Sequence, residues 1–259
     1  ALLNMESLIP LSSLWFLVFL VVLLGNVIQG MTGFGAALVA GPLLAIFLDP
    51  KLVVIIVLVT GMGSLSLVGY HARRYIDLKR LVPLVSLAVL GLPLGSYLLV
   101  VAPSFVTRSL IAVVSIIFSA LLLLGYSKRF KKEVLASCGF GFAGGVLTAG
   151  VGMGGPPIII FLANQGWPKE VFRATVALFF LIVAALCLFS HLFTGVTVGH
   201  RLVIAVSLIP AGILGFYVGD AIFARLSSTL FIKLALSLIL ASGLTSLGMT
   251  LSRMTLKGP

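Results

Sequence analysis

From Val134 to Trp167 the chain carries no charged side chain, and in the middle of that run stands Gly150-Val151-Gly152-Met153-Gly154-Gly155-Pro156-Pro157. Glycine frees the backbone, and proline cannot continue a helix that reaches it. Proline does suit the first turn of a new helix, where its missing N–H would be unpaired anyway. The pattern predicts a helix ending near Gly150, a short extended break, and a second helix starting near Pro156. In apolar surroundings such a break survives only where protein covers it or where it lines a cavity. The free N–H groups at the new helix start carry partial positive charge and attract anions. The competing reading is a glycine-rich face for helix packing.

Composition identifies the surroundings. The chain is 61% hydrophobic and 9% charged, where a soluble domain carries about 25% charged residues. So little charge cannot cover a globular surface in water, and the chain reads as an integral membrane protein. Its apolar stretches run to ~16–23 residues, the length of a spanning helix. They lack the strict alternation of membrane strands. Met5 to Gly30 reads as a first spanning helix, not a cleavable leader. The net charge of +11 sits mostly in loops between apolar runs, so positive-inside placement explains it and nucleic acid is not an expected partner.

Little here supports an enzyme. The six acids are dispersed and the three histidines have no ligand spacing. HExxH, GxSxG and phosphate-binding glycine loops are all missing from the sequence. Cys138 and Cys187 lie in apolar runs and read as small buried hydrophobes. No cofactor or metal is expected.

Ten membrane segments are predicted. In the first half they are Leu8–Ile28, Phe34–Leu48, Leu52–Tyr70, Leu81–Val101 and the stretch after Arg108 to Tyr126. In the second they are Val134–Gly150, Pro156–Gln165, Val171–Phe193, Leu202–Phe223 and Thr229–Thr250. The expected organisation is a membrane repeat over 1–127, a basic cytoplasmic linker over 128–133, and a second repeat over 134–259. Gly33-Phe34-Gly35 falls on Gly152-Met153-Gly154, Pro50-Lys51 on Pro168-Lys169, His71 on His191, Arg80-Leu81-Val82 on Arg201-Leu202-Val203, and Gly95 and Tyr97 on Gly215 and Tyr217. The fold class is therefore all-α: a polytopic transmembrane bundle of two pseudo-symmetric repeats. An inverted arrangement is preferred, because the second-half partner of the basic loop 71–80 has lost most of its basic residues. A parallel one stays open, since the balance of basic residues is nearly the same for both.

Transporters built from repeats place substrate where corresponding helices break. The candidate substrate-binding residues are Gln29, Thr32, Gly33 and Gly35 at the first break, and Thr148, Gly152, Gly154, Pro156 and Asn164 at the second. Two helix N-termini make a positive pocket without a buried cation, which suits a small oxyanion that must be released again. The alternative for Gln29, Thr32, Thr148 and Asn164 is that they bond the broken backbone. For Thr148 that alternative leads, because threonine bonds back to its own helix. His71, His191 and Arg173 are candidates for coupling or for the entrance, with ordinary interfacial roles competing. Asp220 reads as a helix-end cap in contact with Arg225.

The two glycine motifs, Gly30-x-x-Gly33-x-Gly35…Pro42 and Gly145…Gly150-x-Gly152-x-Gly154-Gly155-Pro156, resemble the TauE/SafE family of membrane permeases. The first departs from the fuller Gly-Gly-Gly form by having Ala36 and Ala37 after Gly35. The resemblance implies movement of sulfite or organosulfonates across a bacterial inner membrane. The expectation is a secondary transporter of a small anion, coupled to a proton or another ion, with the lipid bilayer as its surroundings. A homodimer is one option. An anion channel, or a transporter of a different small metabolite, is the alternative.

Overall fold

The computed structural model describes residues 11–71, 73–124, 133–163, 168–197 and 199–223, with isolated positions from 240 to 252. The expected linker 128–132, Asn164, Arg225 and most of the Thr229–Thr250 segment lie outside the described residues. The chain forms α1 (Leu11–Thr32), α2 (Ala36–Phe47), α3 (Pro50–His71), α4 (Leu78–Val101), α5 (Ser104–Leu123), α6 (Glu133–Val151), α7 (Gly155–Ala163), α8 (Lys169–Phe193), α9 (Gly199–Ser207) and α10 (Ile209–Phe223). Among the described residues, six helical stretches are long and apolar enough to cross a membrane. Large apolar side chains such as Leu90, Phe105, Phe189 and Leu214 point outward, as lipid-facing residues do. The protein is a multi-pass helical membrane bundle.

Several expected boundaries differ from the structure by a few residues, and two of the differences matter. The segment expected as one helix from Leu202 is two, because the chain turns at Leu208. Pro210 explains this: it has no N–H to give and its ring would strike the carbonyl one turn earlier. The first helix also runs past Ile28 to Thr32, so its break is the three residues Gly33 to Gly35. Pro83 and Pro93, by contrast, are both carried inside the single helix α4.

Each short helix folds back along the one before it. Gly25 of α1 faces Ala36 and Ala40 of α2, and Gly144 of α6 faces Gly154 and Ile158 at the α7 start. At ~1.5 Å per residue, α2 and α7 extend about 18 and 14 Å, roughly half a hydrocarbon core. The turns need a backbone that L side chains rarely adopt: φ is 81° at Gly33, 105° at Gly35 and 74° at Gly152.

The halves are clasped crosswise. α4 packs along α6, and α1 along α10. In both pairs the backbones nearly touch, so a Cβ on Gly145 would collide with the Ala88 carbonyl and one on Gly219 with the Val27 carbonyl. Without a hydrophobic drive between helices in lipid, such close approach is what holds them. The central helix is α3, with 72% of its apolar window buried. It packs on α8 and runs against it. His71, at the far end of α3, stacks on Phe216, whose neighbour Gly30 is bonded by Arg173 near the α8 start. At the other end Val54 meets Gly152, while His191 near the α8 end bonds Ala149.

Candidate functional site

A cavity lies halfway along α3 and α8, bordered there by Val57, Leu58, Gly61, Leu65, Phe180 and Ala184. Both chain breaks open into it. The first contributes Gln29, Phe34, Gly35, Ala37 and Leu38, and the second Thr148, Gly152, Gly154 and Gly155. The cavity's volume is about 50 Å³, well above the ~10–15 Å³ that a single water requires, so it has room for a small ligand. Of the expected site residues, Gln29, Gly35, Thr148, Gly152 and Gly154 come together here. Gly33 and Pro156 adjoin lining residues in sequence without being among them, and Thr32 is also not part of the lining.

The polar side chains have distinct tasks. Thr32 Oγ1 lies 2.9 Å from Ile28 O and 2.5 Å from Phe34 O, and accepts the Phe34 N–H at 3.2 Å. It ties the broken backbone together, the competing reading for this residue. Thr148 Oγ1 donates to Gly144 O at 2.7 Å, as threonine does in a helix. Gln29 is held by a chain of bonds into α3. Its Nε2 donates to Gly61 O at 2.9 Å and to Ser64 Oγ, Ser64 donates to Asn26 Oδ1 at 2.8 Å, and Asn26 Nδ2 donates to Val22 O at 2.9 Å. The backbone carbonyls at both ends accept only, so both amide orientations follow.

Ser64 and Gly61 are absent from the expected site. A serine between glycines in the middle of an otherwise apolar span was the available signal.

The helix starts at the cavity are unequal. At α2, Gly35 O accepts Leu38 and Val39 N–H, while Ala36 and Ala37 N–H find no acceptor among the described residues. Such unsatisfied donors belong to every helix start. At α7, positions two and three are Pro156 and Pro157, which have no N–H at all. The second break still offers the N–H groups of Gly154 and Gly155, which line the cavity and have no acceptor among the described residues.

Outside the cavity, Arg173 reaches across the first break. Its Nη2 donates to Gly30 O at 2.5 Å and to Asp220 Oδ1 at 2.7 Å, joining α8 to α1 and α10. Asp220 is thus ion-paired with Arg173, while its expected contact Arg225 lies outside the described residues. The second break is flanked by His191, fully buried, with Nε2 3.0 Å from Ala149 O and Cys187 Sγ nearby. His71 is exposed, and its Nδ1 bonds Leu67 O within its own helix. The two histidines match in sequence position but not in surroundings.

Among the described residues no group of three or more His, Cys, Asp or Glu side chains could hold a metal ion. No curated protein and no solved structure matches the chain. One family model does, described as Sulfite exporter TauE/SafE, over residues 17–246. With that match covering most of its length, the chain belongs to the TauE/SafE sulfite exporter family, a family of membrane transporters rather than enzymes.

Proposed function

We propose that the protein is a secondary transporter of a small anion, sulfite or an organosulfonate, in the bacterial inner membrane, working by proton- or ion-coupled alternating access. The observation that carries this reading is the cavity halfway along α3 and α8 into which both breaks open. A helix start contributes roughly 0.3–1 kcal/mol toward an anion, up to about 2 when partly buried. That suffices to hold a small oxyanion and still release it, where a buried Lys or Arg would cost energy in the empty site.

We assign the halves 1–127 and 134–259 as inverted repeats. The support is that the sequence-equivalent helices α3 and α8 run in opposite directions, and that α1 with α10 exchanges for α4 with α6 when the halves are exchanged. Rocking one half against the other would expose the cavity to each side in turn. In this scheme Arg173 draws the anion toward the first break, and His191 stands where a coupled proton would meet the second.

The test is uptake of radiolabelled sulfite into proteoliposomes under an imposed pH gradient. Saturable uptake that accumulates against a gradient is expected. Flux that neither saturates nor accumulates would make the protein a channel. Absence of flux from folded protein for sulfite, taurine and sulfoacetate alike would remove the sulfur-oxyanion assignment.

A further inference from the structure

We infer that the ligand bound in this cavity carries a hydrogen-bond donor as well as its negative charge, and that Gln29 is the residue that selects for it. The inference rests on the anion reading above and follows from a count of Gln29's polar atoms. An amide side chain has two N–H donors and one acceptor oxygen. Both donors are committed, one to Gly61 O and one to Ser64 Oγ. The Ser64 hydroxyl has two acceptors in reach, Asn26 Oδ1 at 2.8 Å and Gly61 O at 3.1 Å, and turning the amide around would set its oxygen against the Gly61 carbonyl. What remains is Oε1. Gln29 is 95% buried, since its relative exposure is 5%. Even so, Oε1 is not among the sealed polar atoms that lack a partner, and no described residue donates to it. The open space that Gln29 borders is the cavity.

The Thr148 hydroxyl spends its proton on Gly144 O, leaving only acceptor capacity. The side chains of the site therefore offer acceptors, and the donors are backbone N–H groups that line the cavity without an acceptor among the described residues: Ala37 at the α2 start, and Gly154 and Gly155 at the second break. A fully deprotonated dianion would set charge against the Gln29 oxygen. A singly protonated oxyanion, or a sulfonate bearing a hydroxyl or ammonium group, satisfies both kinds of partner: anionic oxygen toward the backbone N–H groups, donor hydrogen toward Oε1. Hydrogensulfite meets this description and sulfite dianion does not.

The experiment uses the full protein in proteoliposomes and has two arms. The first measures saturable sulfite uptake across neutral pH, with equal pH on both sides. The apparent KM should stay constant when expressed as hydrogensulfite and drift when expressed as dianion; the reverse overturns the inference. The second compares isethionate with 1-propanesulfonate as competitors, which match in charge and size and differ by a hydroxyl. Isethionate should compete about tenfold better, the scale of one hydrogen bond in a closed site, and equal competition overturns the inference. Ser64→Ala leaves the Gly61 bond in place and should keep the ratio, while Gln29→Met removes Oε1 and should bring it to about one. A ratio unchanged in Gln29→Met would overturn the inference. Loss of all anion uptake by the parent protein would instead strike the anion reading itself.

Discussion

The two breaks carry matching glycine motifs, Gly33-Phe34-Gly35 and Gly152-Met153-Gly154, and are built differently. The first is held by polar groups: Thr32 bonds its own loop, and Arg173 with Asp220 bridges three helices over it. Arg173 and Asp220 remain 16% and 39% exposed at their side chains. The second is held by packing. Met153 is 1% exposed, Ala149 and His191 are fully buried, and the backbone closes on itself through Gly152 N to Thr148 O and Met153 N to Leu147 O. A few polar bonds can open one at a time, whereas close packing yields only as a unit. The first break is thus the one that can loosen locally, and the second moves only with the helices around it.

The largest effect should come from adding a methyl group at each break. A Cβ at Gly154 would collide with Thr148 Oγ1 and lie 2.5 Å from Gly144 O. Gly154→Ala should cost about 3 kcal/mol by overpacking and reduce transport to background. Gly35→Ala has more room, with Ile28 Cγ2 at 3.0 Å, but a φ of 105°, so its cost should be about 1–2 kcal/mol of backbone strain. Thermal unfolding in detergent measures both, and equal losses would break the comparison.

Next in size is Arg173→Met, which leaves Gly30 O and Asp220 without this partner and should cost about 1–2 kcal/mol. Hydrogen exchange sharpens the point. Amides at Thr32 to Ala37 should exchange faster while those at Gly152 to Gly155 stay as protected as before. Acceleration at both would show the breaks to be mechanically joined.

Smaller still is the difference between the histidines. His191→Phe removes the bond to Ala149 O and should lower stability by about 1 kcal/mol. His71→Phe, at an exposed position, should change it by no more than about 0.5 kcal/mol. Unfolding of the two variants side by side decides this, and equal shifts would contradict the separation of their roles. The mildest change is Gly61→Ala, whose Cβ would sit 3.5 Å from Gln29 Nε2 in ordinary contact. Stability should stay within ~0.5 kcal/mol while the KM for the transported anion rises.

What the amino-acid order made legible was local chemistry. Glycines with prolines in an uncharged run imply a broken helix wherever the rest of the chain goes, and the breaks lie within a few residues of their expected places. The Pro210 interruption was legible by the same rule and was overlooked. Contacts between distant segments were not legible. Arg173 and Asp220 stand 47 residues apart and meet only because α8 and α10 converge on α1. His71 and His191 are paired only by their places in the two halves of the sequence. Their burial is set by neighbours from other helices, which no local pattern records. Ser64 became part of the site through Gln29, 35 residues away.

The crosswise clasp has a consequence for the order of assembly. Ala88 and Gly145, which bring α4 onto α6, are made about 60 residues apart. Gly30 on α1 waits for Phe216 on α10, about 190 residues later, which at ~5–20 residues per second is a delay of about 10–40 s. Through that interval the glycine face of α1 has lipid or a chaperone for company in place of its mate. The molecule is therefore closed by a late-made helix seating against an early one, and a substitution at Gly30 or Gly219 should be felt first as slow maturation in the membrane and only afterwards as lost transport.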